Sequence, residues 1–312
     1  MTMRFSFLKI ALLCLLLTAL LAVSCTQPAN NTNGGAAGNV NTNTSQAGQP
    51  AGRPANAQPV ADAPGYFQAG PDGAVSLSFT SPKDGETIQG NSVAPTFQIT
   101  GYPVYMDAER KKGQHIHVIL DNNPYEADYD PATPFAKFNN LTPGTHTLRA
   151  FPGREWHESI KQPGAFAFVT FNVGQASATD INKSAPLLTY SRPKGDYKVG
   201  DHPKGVMLDF YVTNATLGDN DYKVRYTLSK DGKTLKTETL TKWEPVWWPW
   251  SDIQPGQYKV LLELLDKNNK PVPFKVGNLD YNHTEGSFNV TQEGAPAPAG
   301  NANANTKAIP MH

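Results

Sequence analysis

Histidines are concentrated in one short part of this 312-residue chain. Four of the seven lie between residues 115 and 157, and a single residue separates His115 from His117. Alternate side chains of a β-strand point to the same face, so these two imidazoles would lie side by side. Imidazole nitrogens bind copper and zinc. The spacing therefore predicts a Cu or Zn site, completed by a third nitrogen and a carboxylate from nearby residues: His157, with Glu126, Asp128 or Glu158.

A second interpretation needs no ligand. A later segment, DYKVRYTL, repeats the pattern of GQHIHVIL and places Lys223 and Arg225 where the first segment has His115 and His117. Lysine and arginine belong on a solvated face, so this alignment predicts that the two histidines also point outward. The segment at 115–120 would then bury only its other face, which carries Ile116, Val118 and Leu120, together with the counterpart residues Val224, Tyr226 and Leu228.

His146 is predicted to have a structural role. It follows a Pro-Gly turn by two residues, and the repeat places Tyr258 at the matching position. A tyrosine there resembles the tyrosine corner of immunoglobulin-like domains, in which the hydroxyl bonds to backbone a few residues upstream. We therefore expect His146 to be a hydrogen-bonded core residue rather than a metal ligand.

Tryptophans form a second concentration. Four of the five lie in the run WEPVWWPW: Trp243, Trp247, Trp248 and Trp250. If exposed, they could stack on sugar rings or bind a protein partner. The alternative is that they pack on the core or between domains. Pro245 and Pro249 exclude a central strand and favour an edge or a bent connection.

Composition excludes several functions. Basic and acidic residues balance at 27 each, which disfavours a nucleic-acid partner. The sequence has no Gly-x-Ser-x-Gly motif, no phosphate-binding glycine loop and no catalytic cysteine. These absences predict a protein that is not an enzyme.

Short alternating strands separated by turns predict an all-β fold from Tyr66 onward. Turn and strand patterns recur in the same order: TSPKDGE matches SRPKGDY, NLTPGTHTL matches DIQPGQYKV, and TFNVG matches SFNVT. Such ordered matches predict two tandem Ig-like β-sandwiches, spanning residues 65–175 and 176–293 and joined near Gln175–Ala185.

The N-terminus reads as a targeting segment. Residues 1–24 have a basic start and a short apolar run, which is typical of a signal peptide. The sequence Ala22-Val23-Ser24-Cys25 resembles the lipobox of bacterial lipoproteins, which implies lipidation of Cys25 and attachment to a membrane, the outer membrane where the cell has one. Residues 25–64 and 294–312 hold few large apolar side chains and are predicted to be a disordered tether, roughly 35 Å long on average, and a disordered tail.

The first repeat also resembles a group of secreted bacterial Ig-like domains of unknown function. These domains share a Gly-x-His-x-His strand, an Asp turn and a Leu-x-Pro-Gly-x-His entry to the next strand. The matching positions here are Gly113, His115, His117, Asp121, Leu141, Pro143, Gly144 and His146. The resemblance implies a sandwich in an extracytoplasmic setting and implies no activity. A looser similarity is to periplasmic copper-binding sandwiches, although their methionine-rich ligand stretches are missing.

These patterns together predict an envelope lipoprotein with a non-enzymatic binding or structural role, attached to the membrane through Cys25. Two more specific functions remain open. One is metal binding through His115, His117 and His157. The other is binding of a glycan or an envelope protein through the tryptophan run.

Overall fold

The computed structural model describes residues 74–177 and 181–292 in full, and the backbone of two earlier strands, β1 (Gln58–Val60) and β2 (Ala63–Gln68). The predicted signal peptide, the lipidation site Cys25 and the predicted tail lie outside the described residues. Strand β1 and the start of β2 fall within the predicted tether 25–64. These two strands pair antiparallel with each other, and the tether over residues 25–64 stays a prediction.

The protein is all-β, as predicted, with two β-sandwiches in tandem. The first sandwich contains seven strands: β3 (Ser76–Ser81), β4 (Glu86–Ile88), β5 (Thr96–Thr100), β6 (His115–Leu120), β7 (Glu126–Asp128), β8 (Gly144–Gly153) and β9 (Ala167–Val173). A 3₁₀ turn, Pro163–Ala165, precedes β9. No helix in the described part of the chain has the length and hydropathy needed to cross a bilayer.

The second sandwich follows β9. Its ten strands are β10 (Leu187–Arg192), β11 (Gly195–Lys198), β12 (Val206–Thr213), β13 (Lys223–Lys230), β14 (Lys233–Leu240), β15 (Val246–Trp248), β16 (Gly256–Leu265), β17 (Lys275–Val276), β18 (Leu279–Asp280) and β19 (His283–Thr291). None of the described sheets mixes strands from β3–β9 with strands from β10–β19. The domain limits at 65, 175 and 293 remain predictions.

The two sandwiches share one topology. The larger sheet of the first has the order β4-β9-β8-β6-β7, and that of the second has the order β11-β19-β16-β13-β14. Each begins with a parallel pair, β4 with β9 and β11 with β19, and continues antiparallel. The opposing sheets are β3-β5 and β10-β12-β15. The same strand order in both copies supports the internal repeat that the sequence predicts.

Alternation places the predicted apolar residues in the two cores. Ile116, Val118 and Leu120 belong to the core of the first sandwich. Val224, Tyr226 and Leu228 belong to the core of the second. The period-2 pattern of a half-buried strand gives both assignments directly.

The outer face of β6 and β8 is also buried. Thr147 and Arg149 of β8 reach the second sandwich, where the Thr147 hydroxyl lies 2.7 Å from the Tyr281 hydroxyl and Arg149 Nη1 donates to Thr189 Oγ1 at 2.9 Å. Ile119 packs in an apolar cluster that includes Tyr211 of β12. The second sandwich therefore covers the face that the repeat predicted to be solvated.

This covering makes the predicted outward orientation of His115 and His117 wrong. Both side chains have 0% exposure. The comparison with Lys223 and Arg225 correctly identified the face that the histidines occupy. It could not show that the face is covered, because the covering residues are far away in sequence.

Candidate metal centre

Strand β6 and the turn after β8 bring three histidines together. His115 and His117 lie on one face of β6, two residues apart, as strand geometry requires. His157 lies in a tight turn closed by hydrogen bonds from His157 N to the Arg154 carbonyl and from Arg154 N to the Glu158 carbonyl, both 2.8 Å. Its φ of 68° is in the left-handed region, which is uncommon for a residue other than glycine. The turn aims the His157 ring at β6.

The three rings converge on one point. His117 Nε2 and His157 Nδ1 each lie 2.8 Å from His115 Nε2. Within the described residues, one nitrogen from each of the three side chains falls within 4.8 Å of the others. The structure thus brings together all three histidines that the sequence proposed as ligands.

The hydrogen bonds of His115 show which of its ring nitrogens carries the proton. Its Nδ1 lies 2.8 Å from the Gly113 carbonyl, which assigns the ring proton to Nδ1 and leaves a lone pair on Nε2. One in-plane lone pair cannot make two good hydrogen bonds with His117 and His157 at once. A metal ion that receives a lone pair from each ring would replace both nitrogen–nitrogen contacts.

Burial keeps the rings neutral. Desolvation lowers the pKa of His115 to about 3, and it lowers the pKa values of His117 and His157 well below their usual range. The charges of Arg192 and Lys194 act in the same direction on all three. Neutral imidazole is the form that binds metal ions, so the cluster needs no deprotonation at neutral pH.

Aromatic rings and a serine contact the histidines. The Tyr125 ring stacks on His117 with centroids 3.7 Å apart, and Tyr129 lies beside His115 at 4.8 Å. Ser191 Oγ of the second sandwich lies 3.3 Å from His117 Nδ1. This partner on the far nitrogen resembles the outer-shell hydrogen bonds that orient metal-binding histidines.

Gly153 leaves the space in which the His117 ring sits. It pairs with His115 across β6 and β8, and a Cβ atom built there would lie 2.7 Å from His117 Nε2. Real Cβ contacts are essentially never that short. A side chain at position 153 would therefore displace the ring that supplies one of the three nitrogens.

The carboxylates that the sequence proposed as ligands are not in the cluster. Glu126 and Asp128 pair with Val118 and Ile116, so they lie on the opposite face of the sheet from His117. Glu158 accepts a hydrogen bond from Trp156 Nε1 at 2.8 Å. The prediction of a carboxylate ligand from these residues was wrong: the cluster found among the described residues contains the three histidines and no carboxylate. Strand alternation over Tyr125–Tyr129 turns the tyrosines toward the histidines and turns Glu126 and Asp128 away.

Sequence reasoning missed the supporting residues. Tyr125 and Tyr129 could have been found from the alternation of β7, which places them on the face of Ala127, the partner of His117. Ser191 and Gly153 carried no signal in the sequence. Their roles depend on the packing of one sandwich on the other and on the register of β6 with β8.

His146 has the structural position predicted for it. Its Nδ1 lies 2.8 Å from Asp121 Oδ2 and its Nε2 lies 2.8 Å from the Thr142 carbonyl, four residues upstream. The hydrogen bond with Asp121 is the main cause that raises the pKa of His146. Tyr258 makes the matching contact, with its hydroxyl donating to the Gln254 carbonyl at 2.6 Å.

The four tryptophans of the run do not form one surface. Trp248 is 4% exposed and belongs to the core of the second sandwich. Trp243 and Trp250 pack against that core, and their indole N–H groups donate to the carbonyls of Phe210 and His202. Trp247 stacks on the His202 ring at 4.4 Å. Packing accounts for most of the run, and ligand binding by it stays a prediction.

No protein-family model and no curated protein matches this chain. Among solved structures, it is similar to the fibronectin(III)-like modules of Clostridium thermocellum CbhA, with 12% identity over 69% of this chain and 94% of that one and a TM-score of 0.23. It is also similar to SGBP-B of a Bacteroides ovatus mixed-linkage glucan utilization locus, solved with a mixed-linkage heptasaccharide, at 13% identity over 70% and 71% of the two chains and a TM-score of 0.18. The D00-D0 domain of Intimin gives 12% identity over 68% and 99%, with a TM-score of 0.17. These are similarities of fold alone.

Proposed function

We propose that this protein is a metal-binding lipoprotein of the bacterial cell envelope, which holds a Cu(II) or Zn(II) ion through His115, His117 and His157. One observation carries the proposal: three neutral imidazole nitrogens converge within 4.8 Å, and two of the three rings are fully buried. Three nitrogen ligands are enough to hold such an ion and leave one coordination position open.

The proposed role is binding rather than catalysis. Full burial of His115 and His117 favours holding an ion over admitting and releasing a large substrate. The sequence also lacks a recognisable nucleophile motif. Imidazole donors suit both copper and zinc, and divalent ions generally bind nitrogen sites in an order that places Cu(II) above Zn(II). We therefore expect Cu(II) to bind more tightly.

The test is a calorimetric titration of the full chain, purified in detergent, with Cu(II) and with Zn(II). We expect one ion per chain with a submicromolar Kd, and loss of that binding in the double variant His115→Ala/His117→Ala. The matched control is His283→Ala, which removes a 56%-exposed side chain from the second sandwich. Equal binding by wild type and the double variant would contradict the proposal.

The envelope location rests on the sequence Ala22-Val23-Ser24-Cys25 and the apolar run before it. Cys25→Ala removes the atom that would carry the lipid. We expect this variant to move from the membrane fraction to the soluble extracytoplasmic fraction, whereas Cys14→Ala, within the predicted signal peptide, should not move. Retention of Cys25→Ala in the membrane would reject the lipid anchor and leave the metal site unaffected.

A further inference from the structure

The second sandwich places two cations beside the three histidines. Arg192, the last residue of β10, donates from Nε to the Tyr125 hydroxyl at 2.9 Å and from Nη1 to the Tyr197 hydroxyl at 3.0 Å. Lys194 Nζ lies 4.1 Å from the centre of the Tyr125 ring and donates to the Tyr125 carbonyl. The same Tyr125 ring stacks on His117.

Two further charged groups act on this arrangement, and each has a partner of opposite charge. Glu155, which acts on Tyr129, pairs with Arg110. Lys161, which acts on His117, pairs with Asp209. The partners of Arg192 are tyrosine hydroxyls, and the metal ligands are neutral imidazoles. The charge of Glu126 acts on Lys194, but its side chain lies on the face of β7 opposite the histidines. A divalent ion would therefore add two positive charges to a mostly buried site that already faces two cations.

An anion would offset the positive charge of the metal ion, Arg192 and Lys194. Repulsion between like charges is strong where water is excluded, and an anion bound directly to the metal offsets it at the shortest distance. Three protein ligands leave the fourth position for an exogenous group. His157 is the one residue of the three that is not fully buried, so we place the entry for the anion on its side of the cluster.

We propose that the metal-loaded site binds a small anion, an inorganic anion or a simple carboxylate, as the fourth ligand of the ion. This inference rests on the proposed metal-binding function. Arg192 and Lys194 act on the anion through their charge: Arg192 is hydrogen-bonded to the Tyr125 hydroxyl, and Lys194 lies against the Tyr125 ring that stacks on His117. The second sandwich thus takes part in the chemistry of a site whose metal ligands all belong to the first.

The experiment uses the Cu(II)-loaded full chain and azide as the probe. Azide on Cu(II) produces a charge-transfer absorption band, and electron paramagnetic resonance reports the change in copper coordination. We expect saturable azide binding at one site per copper, with acetate competing. Lys194→Gln keeps a hydrogen-bond donor for the Tyr125 carbonyl but removes the charge, and it should weaken azide binding about three- to tenfold. The same change should leave Cu(II) affinity equal or higher.

Arg192→Gln provides a second variant with the same expected pattern, and Lys233→Gln, at the exposed start of β14, is the control. Opposite effects on azide and copper separate a role of charge from general loss of structure, which would weaken both. Copper binding with no azide response, or an azide affinity insensitive to both charges, would overturn the anion site alone. Failure of copper to bind would overturn the proposed function and the anion site together.

Discussion

The two sandwiches use the same pair of strands for different purposes. In the second, β13 pairs with β16 so that Arg225 faces Glu263 across the outer surface, and Arg225 Nε donates to Glu263 Oε2 at 2.8 Å. In the first, β6 pairs with β8 in the equivalent register, and His117 stands opposite Phe151. An ion pair at a partly exposed position is thus replaced by a buried imidazole against an aromatic ring.

The neighbouring position differs in how a buried polar side chain is accommodated. Lys223 faces Leu265 in the second sandwich, whereas His115 faces Gly153 in the first. Lys223 is also buried, at 9% exposure, but its long side chain carries the ammonium group to the Lys267 carbonyl, whereas the imidazole of His115 is buried as a neutral ring. The same position of the strand period therefore holds a charged group that reaches a hydrogen-bond acceptor in the second sandwich, and a neutral imidazole covered by the other sandwich in the first.

The largest effect expected from this difference is a loss of stability in acid that originates in the first sandwich. Burial lowers the pKa of His115 to about 3 and lowers that of His117 as well, whereas in the unfolded chain each histidine takes up a proton near pH 6.5. The unfolded state therefore binds more protons below that pH. Protonation of these histidines in the unfolded chain should therefore lower the free energy of unfolding as the pH falls below 6.5, by on the order of 1 kcal/mol per pH unit for each histidine.

Urea unfolding of chelator-treated protein from pH 5 to pH 8 measures this effect. The free energy of unfolding should be highest above pH 6.5, where both histidines are neutral in the folded and unfolded states, and should decrease as the pH falls. The double variant His115→Gln/His117→Gln should show a flatter dependence, while the exposed His283→Gln should follow the wild type. If the free energy of unfolding of the double variant depended on pH as steeply as that of the wild type, the histidine cluster would be hydrated. His117 would then not differ from Arg225 in burial.

A smaller effect is expected from filling the space at Gly153. In Gly153→Ala the new methyl would meet the His117 ring at 2.7 Å, so the ring must move. We expect metal affinity to fall about thirtyfold, which corresponds to about 2 kcal/mol, a typical cost of overpacking. Calorimetry measures the change. Gly218→Ala in the second sandwich is the control, since its nearest neighbour would be at 3.5 Å. Unchanged affinity in Gly153→Ala would show that His117 binds the metal from a different ring position or does not bind it.

Effects no larger than this are expected at His146 and Tyr258, the equivalent residues that follow the Pro-Gly turns of the two sandwiches. His146→Phe removes hydrogen bonds with Asp121 and the Thr142 carbonyl, and we expect a loss of about 2 kcal/mol at pH 6. Tyr258→Phe removes one neutral hydrogen bond and should cost about 1 kcal/mol. Denaturant unfolding of both variants at the same pH values gives the two free energies.

The pH dependence of the two corners should also differ. The pKa of His146 is raised in the folded state, so its contribution is complete below pH 6.5 and is lost as the pH rises through the raised value. The difference between His146→Phe and wild type should therefore shrink at pH 9, while that of Tyr258→Phe should stay constant from pH 6 to pH 9. A cost of His146→Phe that grows with pH would contradict the pairing with Asp121.

Much of the fold could be predicted from local pattern. Alternation identified the core faces of β6 and β13, and the two Pro-Gly turns identified His146 and Tyr258 as equivalent corner residues. The three clustered histidines were also found by residue type and spacing, although the carboxylates proposed beside them were not confirmed. These successes share one cause, because strand period and turn chemistry are local properties that a short stretch of sequence determines.

The sequence alone determined the all-β repeat, the apolar faces and the identity of the three histidines. Only the tertiary structure decided that the histidines are buried, that His157 reaches β6, that Ser191 lies next to His117, and that Arg192 and Lys194 contact Tyr125. The physical reason is that the second sandwich covers the outer face of β6 and β8 through contacts between residues distant in sequence, such as Thr147 with Tyr281. No short-range pattern encodes such contacts, yet they set the dielectric environment and the charge of the site.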